Sequence, residues 1–321
     1  MIDLHMHSHY SDDGECSPKN LVNQCRMNNI LAMSVTDHNC VRGCAQAQEI
    51  AAQNGILFLS GIEIDCSFQG VNLHMLGYGI DYRSAVFSSI ETDIQKQEIL
   101  ASEERLEKTN MLGFHITRQE LEKAAEGKYC KSIWTGEMFA EILLAKPEYA
   151  EHPFLAPYRA GGSRSDNPYV NFYWDFYAQG KTCHARLSYP SAKKIIEIIH
   201  ETGGLAVLAH PGINLRGKEA LFDSVMTIGI DGIEAFSSYH CAAQAEYYAK
   251  KAFENNLFIT CGSDYHGKIK PSIRIGQHGC MIPDAELLRP FRRLCSIPLL
   301  RFPRVCSRAP YSRRANAVCT S

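Results

Sequence analysis

The chain has 321 residues, enough for one large or two ordinary domains, and its 45% hydrophobic content is that of a soluble globular protein. Its formal charge of −2 hides an asymmetry: from Arg289 onward there are eight arginines and no lysine or acidic residue, which leaves 25 basic against 35 acidic residues in the rest. That acidic body argues against a nucleic-acid groove, and no run of about 18 apolar residues is present to cross a membrane.

The opening residues carry neither a basic stretch nor an apolar core, so no signal peptide is expected and the expected location is the cytoplasm. The thirteen cysteines are scattered without a CxxC pair, which reads as small buried thiols in a reducing compartment rather than a zinc knuckle.

Residues 1–12 read MIDLHMHSHYSD. Ile2, Leu4 and Met6 alternate with Asp3, His5 and His7, which predicts a strand with both histidines on one face. Two imidazoles so placed can grip one cation. Asp12 follows in a Ser-Asp-Asp-Gly turn. Ser17-Pro18 starts a helix that runs to about Asn28. The run Ile30 to Val35 predicts a buried strand that ends in Thr36-Asp37-His38-Asn39, and a helix over about 41–54 is ended by Gly55. The strand ILFLSGIEID delivers Glu63; after a turn at Gly70, VNLHMLGYGI delivers His74. Strands alternating with helices imply parallel strands, and in β/α barrels functional groups collect at the C-terminal strand ends.

From about Asp81 the pattern changes. Residues 88–110 are polar and helix-prone, a Thr-x-x-Glu capping box opens a helix over 117–126, and 132–145 reads as another amphipathic helix. Residues 147–180 are rich in Pro, Gly and aromatics without a clear period. Tyr158, Tyr169, Phe172, Tyr173, Trp174, Phe176 and Tyr177 are expected mainly to pack a small helical core, with some left to line a substrate pocket. The alternation then resumes. A helix over Ser191 to Thr202 precedes the strand LAVLAHPG, which ends in His210. A helix near 217–228 leads to DGIEAFSS, a strand that carries Glu234 and is followed by His240. A helix over 241–255 leads to LFITCGSDYHG, a strand ending in Asp264 and His266. Beyond Pro283, Ala285 to Leu294 suits a short helix, and the remainder has Pro, Arg and Cys without an amphipathic period.

Nine residues stand at or near these strand ends: His5, His7, Asp12, His38, Glu63, His74, His210, Asp264 and His266. Imidazoles mixed with carboxylates suit Mn2+, Fe2+ or Zn2+ better than Ca2+. Nine ligands exceed one ion and fill two or three. Metals about 3.5–4 Å apart can hold a hydroxide and a phosphoryl oxygen together.

The segments HMHSHYSDDG, TDHN, GIEI, LHMLGYG, LAHPG and GSDYHG resemble, in order and spacing, the motifs of the PHP (polymerase and histidinol phosphatase) family of metal-dependent phosphoesterases, over roughly 1–82 and 185–280. The resemblance implies an α/β fold, a distorted (βα)7 TIM-like barrel, over 1–83 and 183–285. The helical segment 84–182 is then an insertion domain, and 286–321 an irregular, disordered tail. It also implies that His5, His7, Glu63 and Asp264 hold one metal. Glu63 then bridges to a second, completed by His74 and His210, and Asp12, His38 and His266 hold a third. The implied reaction is attack of a metal-bound hydroxide on the phosphorus of a phosphomonoester, that of a nucleotide or similar small molecule.

The large insertion resembles the subgroup that includes nucleoside 3′,5′-bisphosphate phosphatases and 5′→3′ exoribonuclease-like members. That subgroup has a Gly-Arg-Pro-His-like segment where this chain reads Ile133-Trp134-Thr135-Gly136-Glu137. Lys131, Arg159, Arg164, Lys181 and Arg186 are the replacement candidates for binding substrate phosphate. His240 is a candidate proton donor; Asp37 and Glu234 are expected behind the ligands, with Asp37 orienting His38 or capping a helix. His9, His115, His152, His184, His200 and His278 fall outside the motifs and read as ordinary polar residues. Three other functions fit the same residues: a phosphodiesterase on short oligonucleotides, a metal-bound accessory module without turnover, and hydrolysis of a C–N bond. The partner expected is a small phosphorylated molecule, with no membrane and no stable nucleic-acid complex; oligomeric state is unreadable.

Overall fold

The computed structural model describes residues 1–294. Seven strands form one sheet in sequence order: β1 (Ile2–Asp3), β2 (Ala32–Val35), β3 (Leu57–Phe68), β4 (Val71–Tyr78), β5 (Leu205–Leu208), β6 (Gly232–Ser237) and β7 (Phe258–Gly262). The sheet curls until its edges meet. The Leu4 N–H donates to Cys261 O (3.1 Å), the His7 N–H donates to Tyr265 O (2.9 Å), and Met6 bridges Tyr265 in parallel. The result is a nearly closed barrel, which removes the exposed edges of an open sheet.

Parallel pairing holds for β1 with β2, β2 with β3, β5 with β6 and β6 with β7, as the alternation implied. The exception is β4, which runs antiparallel to both β3 and β5. The link from β3 to β4 is only Gln69 and Gly70, both at positive φ (49° and 80°), too short for a crossover helix, so the chain must turn straight back.

On the barrel, α1 (Pro18–Met27) and α2 (Arg42–Gln53) follow the first two strands. Ser17 caps α1 by accepting from the Asn20 N–H (3.2 Å), with Pro18 at the first turn. The segment between β4 and β5 holds α3 (Ala85–Met111), α4 (Arg118–Ala124), α5 (Gly136–Ala145), α6 (Pro168–Phe176) and, returning to the barrel, α7 (Ala192–Glu201). Thr117 and Glu120 close the expected capping box on α4. The later part adds α8 (Pro211–Asn214), α9 (Phe222–Val225), α10 (Ala242–Glu254) and α11 (Asp284–Leu287). The helix expected near 217–228 is thus two short turns, at 219–221 and 222–225.

A small apolar core packs α1 and α2 against β2 through Leu21, Val22, Met33, Val35, Ala47 and Ala51, and two larger ones organise the rest. One joins the barrel strands to α7 and α10 through Leu73, Leu76, Ile195, Ile199, Val207 and Ile233. The other lies within the insertion and contains Phe114, Leu121, Trp134, Phe139, Leu143, Tyr158, Phe172 and Tyr177. Arg159 serves that second unit: its guanidinium donates to Leu144 O (3.1 Å) and Tyr149 O (3.0 Å). The insertion is tied to the barrel by Lys128 Nζ donating to Gly14 O (2.7 Å) and by the Lys268–Glu141 ion pair (2.7 Å).

An irregular tail was expected from residue 286, but 284–293 coil into short helical turns and Phe291 is fully buried against Tyr78 and Phe258. An apolar side chain with a ready groove outweighs the lack of periodicity. The rest of that tail, from 295 on, lies outside the described residues. No helix among the described residues is long and apolar enough to cross a membrane.

Candidate metal centre

Three carboxylates and six imidazoles meet where β1, β2, β3, β4, β5 and β7 end or turn. His5 and His7 follow β1 on one face, and Asp3, two residues earlier, shares it. The buried Asp3 carboxylate accepts from the N–H groups of Ser263 (2.9 Å) and Gly276 (2.6 Å), locking the first strand to the loop after the last. Asp264 sits in that loop at φ 54°, a left-handed conformation that Asp tolerates, with its N–H on His5 O (2.8 Å).

His5 Nε2 lies 3.1 Å from His7 Nε2, 3.1 Å from Glu63 Oε2 and 3.2 Å from Asp264 Oδ1. His7 Nε2 lies 3.2 Å from the same Glu63 oxygen and 3.1 Å from the same Asp264 oxygen. Two ring nitrogens carry at most one hydrogen each, so protons cannot satisfy five such contacts. A tetrahedral ion with arms of about 2.0–2.1 Å has edges of about 3.3 Å, which is nearly the spacing found. The donor set therefore fits a cation.

The tautomers agree. Glu234 Oε1 accepts from His5 Nδ1 (2.9 Å), which in the neutral ring leaves the lone pair on Nε2, and Glu234 Oε2 accepts from the His210 N–H (2.8 Å). Glu63 faces two ways. Its Oε1 is 2.9 Å from both His74 Nδ1 and His210 Nε2, while its Oε2 faces His5 and His7. A third group contains Asp13, His38 and His266, with His7 beside them. Asp13 Oδ2 is 3.0 Å from His266 Nε2 and 3.8 Å from His38 Nε2. The opposite nitrogen of His266 donates to Asp264 O (2.9 Å), again leaving Nε2 free.

Charge follows this packing. Burial works against charge on His5, but Glu234, Glu63 and Asp264 outweigh it and hold the ring well above its usual pKa. Burial, with His266 and His38 close by, pushes His7 down to about 4. Glu63 and Asp264 are buried and Asp13 is partly so, which opposes ionisation, yet the neighbouring cationic groups hold all three well below the usual carboxylate range.

Eight of the nine expected ligands converge. Asp12 does not: its place is taken by Asp13, which the sequence reading missed. The two sit in an irregular turn where residue alternation does not fix direction, and burial beside Glu98, Asp13 and Asp65 drives the Asp12 carboxyl well above its usual pKa. Asp65 was also missed. It is two residues past Glu63, the spacing of His5 and His7, and reaches His74 Nε2 (3.1 Å) across the hairpin. Asp37 does not orient His38; it accepts from the Ser8 N–H (2.5 Å) and hydroxyl (2.7 Å), fixing the turn after β1.

His240 cannot donate a proton to a leaving group. Its Nδ1 donates to Ala235 O (2.8 Å) and its Nε2 accepts from the Gly212 N–H (3.0 Å), so both nitrogens are held by backbone.

Between the rim and the insertion lies a cavity of about 390 Å3. Asp13, His38, Glu63, His74, His210 and Asp264 floor it; Arg105, Glu137, Tyr173 and Trp174 stand opposite. Of the five basic residues suggested for substrate, Arg164 and Lys181 line it and Lys131, Arg159 and Arg186 do not. Arg164 is itself paired with Asp175 (3.0 and 3.1 Å). Sequence reading missed Arg105, buried on Glu98 (2.6 Å), and Lys270, whose Nζ reaches Asp264 Oδ2 (2.5 Å) and lies 4.9 Å from the Tyr239 ring centre.

A nearly closed seven-stranded barrel with clustered His, Asp and Glu donors at one rim is the setting in which the comparisons fall. The PHP domain family model matches residues 3–157 of this chain. Among curated relatives, the phosphoribosyl 1,2-cyclic phosphate 1,2-diphosphodiesterase of Eggerthella lenta is 28% identical over 269 residues, 83% of this chain and 94% of that one. The 3′,5′-nucleoside bisphosphate phosphatase of Chromobacterium violaceum is 26% identical over 305 residues, 94% of this chain and 98% of that one. Among solved structures, an amidohydrolase from Chromobacterium violaceum with bound sulfate superposes with a TM-score of 0.69 at 23% identity, over 85% of this chain and 90% of that one, which shows the shared fold.

Proposed function

We propose that this chain is a metal-dependent phosphoesterase that hydrolyses a phosphomonoester of a nucleotide or similar small molecule. The observation that carries the reading is the convergence of donor atoms at 2.9–3.2 Å that protons cannot satisfy. His5, His7, Glu63 and Asp264 would hold one ion, Glu63, His74 and His210 a second, and Asp13, His38 and His266 a third. Imidazole and carboxylate together suit Mn2+, Fe2+ or Zn2+. When bound, such ions lower the pKa of water towards about 7 and neutralise charge on a phosphoryl group.

The chain's own residues do the rest. Glu234 fixes the His5 tautomer and the His210 backbone together. Arg105, Lys181, Arg216, Lys218 and Lys270 line the cavity and draw a phosphate towards the floor. The insertion covers that floor as a cap domain and supplies the wall facing the leaving group. A cavity of about 390 Å3 suits one small ligand. The reading places the protein in the cytoplasm, supported by buried free thiols such as Cys25, Cys66 and Cys261.

The test is phosphate release from p-nitrophenyl phosphate, adenosine 5′-monophosphate, adenosine 3′,5′-bisphosphate and a short 5′-phosphorylated RNA. Each is run with added Mn2+ and with chelator. Release that chelator abolishes is the expected result. The RNA outpacing every mononucleotide would favour an exonuclease, and no release despite bound metal would sink the phosphoesterase reading.

A further inference from the structure

The wall opposite the donor cluster carries a buried acid with no role in holding cations. Glu137 is the second residue of α5, is 4% exposed and lines the cavity beside Thr135 and Gly136. Among the described residues no salt bridge holds its carboxyl, whose charged form is favoured by the Thr135 hydroxyl and its own backbone N–H. Burial, then the negative charge of Asp13, pushes it up to about 7, while Lys270 acts in the opposite sense. Two side-chain donors on this cavity lack partners: Trp174 Nε1 and Asn214 Nδ2 are buried without a hydrogen bond. Buried polar groups left unpaired are costly, so a ligand in this cavity that completes them is favoured.

The chemistry of Glu137 narrows the ligand. A carboxyl group pairs with adjacent hydroxyls whether ionised or protonated, accepting from one or both. An acidic residue reads the ribose hydroxyls of dinucleotides in this way. A phosphate drawn to the floor directs its ester group towards α5. Resting on the phosphoesterase reading, we propose that Glu137 is a specificity-determining residue that binds free vicinal hydroxyls of the leaving group, so that the preferred substrate is a phosphate ester of a ribose-like sugar. Trp174 and Asn214 then donate to acceptors elsewhere on the same group.

The test compares kcat/KM for adenosine 5′-monophosphate, its 2′,3′-dideoxy analogue and p-nitrophenyl phosphate. Wild type, Glu137→Gln and Glu137→Ala are assayed with metal added, and circular dichroism confirms folding. Wild type should prefer the ribonucleotide over the dideoxy analogue by about 10- to 100-fold. Glu137→Ala should bring the two within about threefold, and its loss on the ribonucleotide should exceed its loss on p-nitrophenyl phosphate by about tenfold. Glu137→Gln, which still accepts through one oxygen, should fall between. The proposal is overturned if wild type does not discriminate, if Glu137→Ala keeps the preference, or if all three substrates lose equally. Failure of metal-loaded wild type on every substrate would instead overturn the phosphoesterase reading beneath it.

Discussion

Replacing Glu234 by glutamine separates cation binding from folding. Glu234 is fully buried, and its two oxygens serve two donors, His5 Nδ1–H at 2.9 Å and the His210 N–H at 2.8 Å. Glutamine offers one oxygen and one NH2 group, so in either orientation a donor faces a donor. The group left unpaired costs about 1–3 kcal/mol. If His5 faces the NH2, it finds relief by moving its proton from Nδ1 to Nε2, the nitrogen aimed at His7, Glu63 and Asp264, and a cation must then reverse that move. At 1.4 kcal/mol per tenfold, this weakens metal binding by about 5- to 100-fold. The substitution also removes a buried negative charge, which offsets part of the loss in the metal-free protein. Calorimetric titration of chelator-stripped protein with Mn2+ or Zn2+, alongside its thermal unfolding, measures both. A Kd equal to that of wild type would refute the tautomer argument.

Asp13→Ala should lower metal content and activity while Asp12→Ala leaves metal content near wild type; mass-spectrometric metal analysis of the two would reverse the assignment if Asp12 proved the one required. His5→Ala and Asp264→Ala should each lose metal and activity with circular dichroism largely preserved, and full occupancy in either would remove that residue from the donor set. His240→Ala should lower Tm through the loss of two backbone hydrogen bonds, at about 1 kcal/mol each. Its activity loss should be no larger on slow leaving groups than on p-nitrophenyl phosphate; a selective loss on slow ones would restore it as a proton donor. Chelation should lower the wild-type Tm, because an ion at 100 times its Kd adds about 2.7 kcal/mol; an unchanged Tm would mean that purified protein carries no bound metal.

The parts of this site legible in the sequence are those governed by a strict period. His5 and His7 share a face because strand side chains alternate, and Glu63 follows from the same rule. Asp65 obeys it too, but nothing local distinguishes it from a surface acid until β4 brings His74 opposite. The reversal of β4 was hidden because an apolar run carries no direction; only the two-residue link at Gln69-Gly70 betrays it. Asp12 and Asp13 could not be separated because a turn has no fixed period. His240 misled because a histidine near a site looks the same whether it faces the cavity or the backbone. How the donors divide among ions came from the resemblance, since spacing along the chain says only that ligands are present.

The barrel's weakest seam has a consequence for the whole chain. β1 is two residues long, and the contacts joining it to the chain after β7 span up to 276 positions. Closing so long a loop costs entropy that a few backbone hydrogen bonds barely offset. His5 and His7 stand on one side of that seam and Asp264 on the other, with His266 beyond it. A cation held there would act as a reversible rivet between the two ends of the fold. Catalytic competence and resistance of the amino-terminal strand to peeling would then rise and fall together with metal supply.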